Sequence, residues 1–173
     1  DKIKLDKHFM RLVGYYLSEG SASRHNLRFY FNKNEKEYIE DVAQLIEDIS
    51  GLKPQISYRD NVAIISLYNK VLSDLFKVLF DKHAHYKTIP QFMILLPQEK
   101  QKELIKGLWR GDGCIRVKDF CLVTSSKRLA YQVRDILLRA GIIASVQVRT
   151  KEKLNKKQYK IEGRDVSFTK DKY

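Results

Sequence analysis

Cysteine is scarce in this chain: Cys114 and Cys121 are the two among 173 residues. Two thiols cannot build a disulfide framework or a four-thiolate metal cage, which excludes the disulfide-stapled and zinc-ribbon classes. Both are expected as reduced, buried, small apolar side chains of an intracellular protein, in the cytoplasm or nucleoid of a prokaryote or in an organelle. Proline occurs three times and glycine eight times, too few for a low-complexity tract or a long flexible linker. No apolar run approaches the roughly 18 residues that a membrane-crossing helix needs, and no secretory leader is visible, so no membrane partner is expected. Acid is in the minority as well, with 21 Asp and Glu against 33 Lys and Arg and a net charge of +12. Such a chain suits a polyanion, and nucleic acid before a membrane surface.

What is present is a core-forming composition, 43% hydrophobic, and an order of elements that occurs twice. Asp6 is placed to cap a helix whose stripe is Phe9, Leu12, Val13, Tyr16 and Leu17, ending near Gly20 at a C-terminal glycine. Residues 27–32 alternate as a half-buried strand. A helix follows with Asn34 as its cap and Gly51 as its stop, then a hairpin turning at Asp60 and Asn61, then a helix over 70–80. After the connector "DKHAHYKTIP" the order restarts: a helix over 99–110, strands at 114–117 and 120–124, a helix over 126–141, and strands in "ASVQVRT" and "KQYKIEG". The reading is an α+β chain of two halves, residues 1–97 and 98–173, the second lacking an amphipathic counterpart to the helix over 70–80. Charge divides unevenly: the first half carries 14 basic and 12 acidic residues, the second 19 and 9.

Each half opens with a similar heptapeptide, "GYYLSEG" from Gly14 and "GLWRGDG" from Gly107, 93 residues apart. Gly14 and Ser18 are four apart, as are Gly107 and Gly111, so each pair shares a helix face on which another backbone can come close. Packing the two helices on these faces brings Glu19 and Asp112 together. Both acids end a helix, facing the negative pole of its macrodipole, and they repel each other. A local rule broken twice in register points to a functional site. A divalent cation relieves both penalties, and oxygen ligands favour Mg²⁺, with Ca²⁺ or Mn²⁺ able to substitute.

"LVGYYLSEG" and "IKGLWRGDG" resemble the two signature motifs of the LAGLIDADG homing endonucleases, in particular their intein-associated dodecapeptide branch. "NEKEYIEDVAQLIEDISGLKPQI" and "HYKTIPQFMILLP" resemble that branch too, so the likeness covers most of the chain. It implies two pseudo-twofold αββαββα halves, motif helices at the interface, and two curved antiparallel sheets forming a saddle over double-stranded DNA. It also implies a monomer that cuts both strands of a long specific site with a divalent metal, one strand per motif acid. Glu19 and Asp112 become the metal-binding acids. Lys87 of "KTIP" becomes a basic residue near the reacting phosphate. Asn32 and its counterpart Thr124 become polar residues at the active centre. Ser18 and Glu19 stand where the family often has Ala and Asp. No N-terminal Cys or Ser nucleophile and no terminal His-Asn is encoded, so splicing is not expected of this chain, and an intein or an intron origin both fit.

The strand pattern suits DNA independently. Arg28, Tyr30 and Asn32 share a face, as do Gln55, Ser57 and Arg59 and, in the second half, Ser145, Gln147 and Arg149. Arg, Asn and Gln make bidentate contacts to base edges. Arg24 and Arg116, just past each motif, are placed for phosphates, as are Lys151, Lys153, Lys156 and Lys157. The competing expectation is a non-cleaving relative, an RNA maturase or a regulator, which would have no use for the motif acids.

Overall fold

The computed structural model describes residues 3–115, 119–150 and 171–173, together with the backbone of 159–161 and 164–166. The first half runs α1 (Lys7–Glu19), β1 (Gly20–Ala22), β2 (Asn26–Asn32), α2 (Lys36–Ser50), β3 (Gln55–Arg59), β4 (Val62–Tyr68) and α3 (Lys70–Phe80). The connector holds a short α4 (Gln91–Ile94). Then follow α5 (Gln98–Asp112), β5 (Gly113–Ile115), β6 (Phe120–Leu122), α6 (Lys127–Arg139), β7 (Tyr159–Ile161) and β8 (Arg164–Val166). Among the described residues no helix is long and apolar enough to cross a membrane.

The caps explain the starts. The Asp6 carboxylate accepts from the Phe9 N–H at 2.9 Å, and the Asn69 side chain accepts from Leu72 at 3.0 Å, each satisfying an orphan donor of a first turn. The expected cap at Asn34 is not formed. Asn32 accepts from the Asn34 N–H at 3.0 Å and Glu35 accepts from the Asn32 N–H at 2.8 Å. A local turn thus consumes these groups, and α2 starts after Glu35.

The four strands of the first half form an antiparallel sheet ordered β1-β2-β4-β3. In β2, Leu27, Phe29 and Phe31 are buried while Arg28, Tyr30 and Asn32 lie on the other face, the alternation a half-buried strand requires. The sheet, α1 and α3 enclose an aromatic core: Tyr16 lies edge-on to Phe76 at 4.9 Å and to Phe29 at 6.4 Å. α1 then packs its opposite face on α5.

The second half repeats the motif helix, the hairpin and the following helix. Cys114 and Cys121 are cross-strand partners in the β5–β6 hairpin and are bonded to each other, with Cα atoms 5.3 Å apart. The expectation of reduced, buried thiols is therefore corrected. Direct opposition across an antiparallel pair brings Cβ atoms within bridging reach, and both residues are only half-buried. The expected strand over 144–150 is also corrected. It forms one isolated bridge, Arg149 with Lys172. Among the described residues that bridge is its one strand pairing, and alternation alone does not make a strand. An apolar groove of about 780 Å³ opens beside it, lined by Trp109, Phe120, Leu122, Val133, Leu137 and Ile143 among others. In the first half the position of Trp109 belongs to Tyr16, which α3 covers.

Candidate active site at the paired helix ends

The motif helices approach as closely as their spacing implies. A Cβ on Gly14 would collide with the Leu104 carbonyl and the Leu108 nitrogen, and one on Gly107 with the Arg11 carbonyl. One on Gly111 would collide with Ser18 and the Cγ of Glu19. The Ser18 hydroxyl turns back onto its own helix, donating to Tyr15 O at 3.2 Å, so it presents no unpaired polar atom to α5.

Glu19 and Asp112 are the last residues of α1 and α5. A glycine follows each of them, as a C-terminal glycine often follows a helix. Both are extended, Gly20 at φ −91° and ψ 152° and Gly113 at φ −81° and ψ 147°. Any residue adopts such angles. What demands glycine is space, since a Cβ on Gly20 would strike Tyr16 and one on Gly113 would strike Trp109. Each helix therefore passes straight into a strand, and the two acids sit where helix, strand and partner helix converge.

Burial dominates their electrostatics. Glu19 is pushed up to about 7, first by desolvation, then by Asp112 and Glu35, with Lys87 opposing. Asp112 is pushed up to about 6 by desolvation, against the pull of Lys87 and Lys172. The two carboxylates feel each other and lack enough local cation to be comfortable as anions. Among the described residues no group of three or more His, Cys, Asp and Glu forms a metal cage. The donor set is two desolvated carboxylates at helix ends, a fit to a hard divalent cation whose other ligands come from water or phosphate.

Lys87 is 3% exposed. Its amine donates to Tyr16 O and, at 2.7 Å, to Gly20 O, and lies 4.8 Å from the Tyr16 ring centre. Burial lowers it to about 8, while Asp112 and Glu19 pull the other way. Two of its donors are spent on the Tyr16 and Gly20 carbonyls on either side of Glu19, and its charge acts on both acids.

The register settles which polar side chains share a face. Arg28 is opposite Ser66, and Ser66 opposite Gln55; Tyr30, Ile64 and Ser57 form the next row, and Asn32, Val62 and Arg59 the last. The six predicted residues of the first half thus lie on one face of one sheet. Arg24 is exposed in the turn after β1. Ser145, Gln147 and Arg149 are exposed but belong to no sheet. Arg116, Lys151, Lys153, Lys156 and Lys157 lie outside the described residues.

Thr124 needs correction. Gly20 pairs with Phe29, and Gly113 with Leu122, so Thr124 matches Phe31 and Ser125 matches Asn32. Thr124 is 5% exposed, its hydroxyl accepts from the Ser126 N–H, and its backbone pairs with Tyr173. A one-residue slip in a strand exchanges the faces. A signal was present: Asn32 follows Gly20 by the interval at which Ser125 follows Gly113.

Sequence reasoning also missed Glu35 and Lys172, which act on the two acids, and the network around Asp41. The Asp41 carboxylate takes Arg11 at 3.0 Å, Arg110 at 2.7 Å and the Tyr15 hydroxyl at 2.8 Å. Arg110 also reaches Glu37 at 2.6 Å. This ties α2 to both motif helices. Arg110 lies inside "GLWRGDG", but nothing local names Asp41 as its partner.

A family model described as LAGLIDADG-like domain matches residues 99–170. An uncharacterized protein of Methanocaldococcus jannaschii is 38% identical over 149 residues, covering 83% of this chain and 18% of that protein. The transcription initiation factor IIB of the same organism is 29% identical over 157 residues, covering 91% of this chain and 20% of the relative. The chain thus spans about a fifth of the length of these relatives. The crystal structure of I-DmoI in complex with DNA and Mn matches the fold with a TM-score of 0.65 and 16% identity, over 83% of each chain.

Proposed function

The chain belongs to the LAGLIDADG family, and on that premise we propose that it is a site-specific endonuclease cutting both strands of a long double-stranded DNA target, as an intracellular monomer of two halves divided near residue 97. The observation that carries this is the convergence of Glu19 and Asp112 on paired helix ends, both held as poor anions by burial. A structural pair would have been given partners; this pair is left wanting a cation.

Glu19 and Asp112 would hold Mg²⁺, which Mn²⁺ or Ca²⁺ could replace. When bound, the ion supplies a Lewis acid for the phosphodiester and lowers the pKa of bound water. The chain's own residues do the remainder. Lys87 keeps a positive charge acting on both acids and fixes the end of α1. Arg28, Gln55, Arg59 and Asn32 offer donors and acceptors to base edges from one sheet face. Arg24 takes a phosphate.

The relatives are unlike one another in name, and each carries the matched stretch as a small part of its length. The target is therefore sought in coding DNA of such relatives with that stretch removed. Plasmids carrying those junctions are incubated with protein and Mg²⁺. Linear product with staggered ends is expected from one of them, and none from Glu19→Gln or Asp112→Asn, which should still bind it. Tight binding without cleavage in Mg²⁺ and Mn²⁺ would defeat the proposal in favour of a binding protein. Preferred binding of structured RNA, unaffected by both substitutions, would indicate a maturase.

A further inference from the structure

The structure assigns a positioning role to a strut that crosses from α6 through the connector to the end of α1: we propose that Gln132, Ser126 and Lys87 together hold Glu19, and not Asp112, in working geometry. The inference rests on the nuclease reading above.

Its members are buried and joined through the connector backbone, which Gln132 and Ser126 hold at separate points. The Gln132 amide donates to Ile89 O at 2.7 Å, accepts from Ile89 N at 2.9 Å, and accepts from the Thr88 hydroxyl at 3.1 Å. One side chain thus pairs with the connector backbone as a strand would. Ser126 caps α6 by accepting from the Leu129 N–H at 3.1 Å, and its hydroxyl donates to Lys87 O at 2.7 Å. Lys87 then spans to Tyr16 O and Gly20 O on either side of Glu19. Ser126 and Ile89 are fully buried and Gln132 is 9% exposed. Buried groups so matched have no cheap alternative partner, so each link is expensive to break.

The strut is one-sided. Tyr16 O takes the Gly20 N–H as well as the lysine. At the other helix end, Trp109 O takes the Gly113 N–H, and among the described residues no side chain donates to Trp109 O or Gly113 O. Each acid serves one strand in the proposed reaction, so loosening the strut should slow one cut and spare the other. A Lys87 acting as a base at phosphate would have no need of Gln132.

The test follows the two single-strand cuts separately on supercoiled plasmid bearing the target, using Lys87→Met and Gln132→Ala. One cut is expected to slow by about tenfold or more, the other by less than about threefold, with nicked circle accumulating and DNA affinity unchanged. Mere loss of folded protein lowers both cuts alike, which would overturn the proposal, as would a Gln132→Ala variant matching wild type. Rescue of Lys87→Ala by small alkylamines should follow amine size; rescue that follows amine pKa would make Lys87 a base and overturn its place in the strut. Amide exchange gives a reading free of catalysis. The Gly20 N–H should exchange at least about tenfold faster in both variants and the Gly113 N–H should not. If the wild type cuts no DNA, the nuclease reading falls alone, and unchanged exchange at Gly20 would still sink the strut.

Discussion

A carboxylate at the last turn of a helix is opposed by the dipole, by burial and here by a second carboxylate, and these oppositions have a measurable sign. Glu19 rises from 4.5 to about 7, and Asp112 from 3.8 to about 6. Between the unfolded and folded values the native state holds a proton that the unfolded chain has released. Stability of the metal-free protein therefore falls as pH rises from about 3.8 to about 7, and the loss is complete above that window. Thermal melts without divalent metal should show wild type losing more stability from pH 5 to pH 8 than Glu19→Gln does. Millimolar Mg²⁺ should restore wild type at pH 8 and do little for the variant, since binding to the native state alone stabilises it. Parallel melting curves for the two proteins would contradict this. At this scale the acids were legible because the signature is local: small residue, acid and glycine on one helical spacing. Thr124 was misjudged by one position although the interval was readable: Ser125, not Thr124, follows Gly113 as Asn32 follows Gly20. Gly20 was legible as a helix end, but not why it must be glycine. The reason for glycine there, as at Gly113, is the lack of room beside Tyr16 and Trp109, backbone and ring alike.

Elements whose limits are set by their own residues were legible, and those set by partners were not. α3 begins and ends where Asn69 and its apolar stripe dictate. The stretch over 144–150 alternates like a strand and is not one, because pairing is a property of two segments. The same division predicts how glycines differ. Gly14 and Gly107 sit at ordinary helical angles, but a Cβ on either meets backbone that has no room to move. Gly51 is the converse, at φ +69° with open space around it. Gly107→Ala should cost about 3 kcal/mol or prevent folding, at or beyond the upper end of overpacking penalties. Gly51→Ala should cost about 1 kcal/mol from its left-handed backbone alone. Urea titrations of both variants check the order, and a Gly107→Ala protein as stable as wild type would mean that the motif helices do not meet at this distance. The network that joins three helices is tested likewise. Asp41→Ala leaves Arg11 and Arg110 partly buried without their shared carboxylate, and a loss of about 2 kcal/mol is expected in the same assay.

Across the whole molecule the charge surplus and the sheet face make separable contributions to the proposed DNA complex. Phosphate contacts release counterions, so each adds about 0.9 to the slope of log affinity against log salt, whatever the sequence. Base contacts leave that slope alone and instead discriminate by about 1–3 kcal/mol per position. Arg24 stands exposed outside the sheet, while Arg28 occupies a row with Ser66 and Gln55. Arg24→Ala should weaken target and mismatched DNA alike and reduce the slope by about one unit. Arg28→Ala should keep the slope and erase preference at one base pair, and Gln55→Ala should act at the same or the adjacent pair, because the register places the two side chains in one row. Anisotropy titrations over a range of KCl, with the target and a set of single-pair variants, separate the two effects. If Arg28→Ala instead lowers every affinity equally and flattens the salt dependence, that face of the sheet tracks phosphate. The reading of sequence would then have to come from elsewhere in the fold.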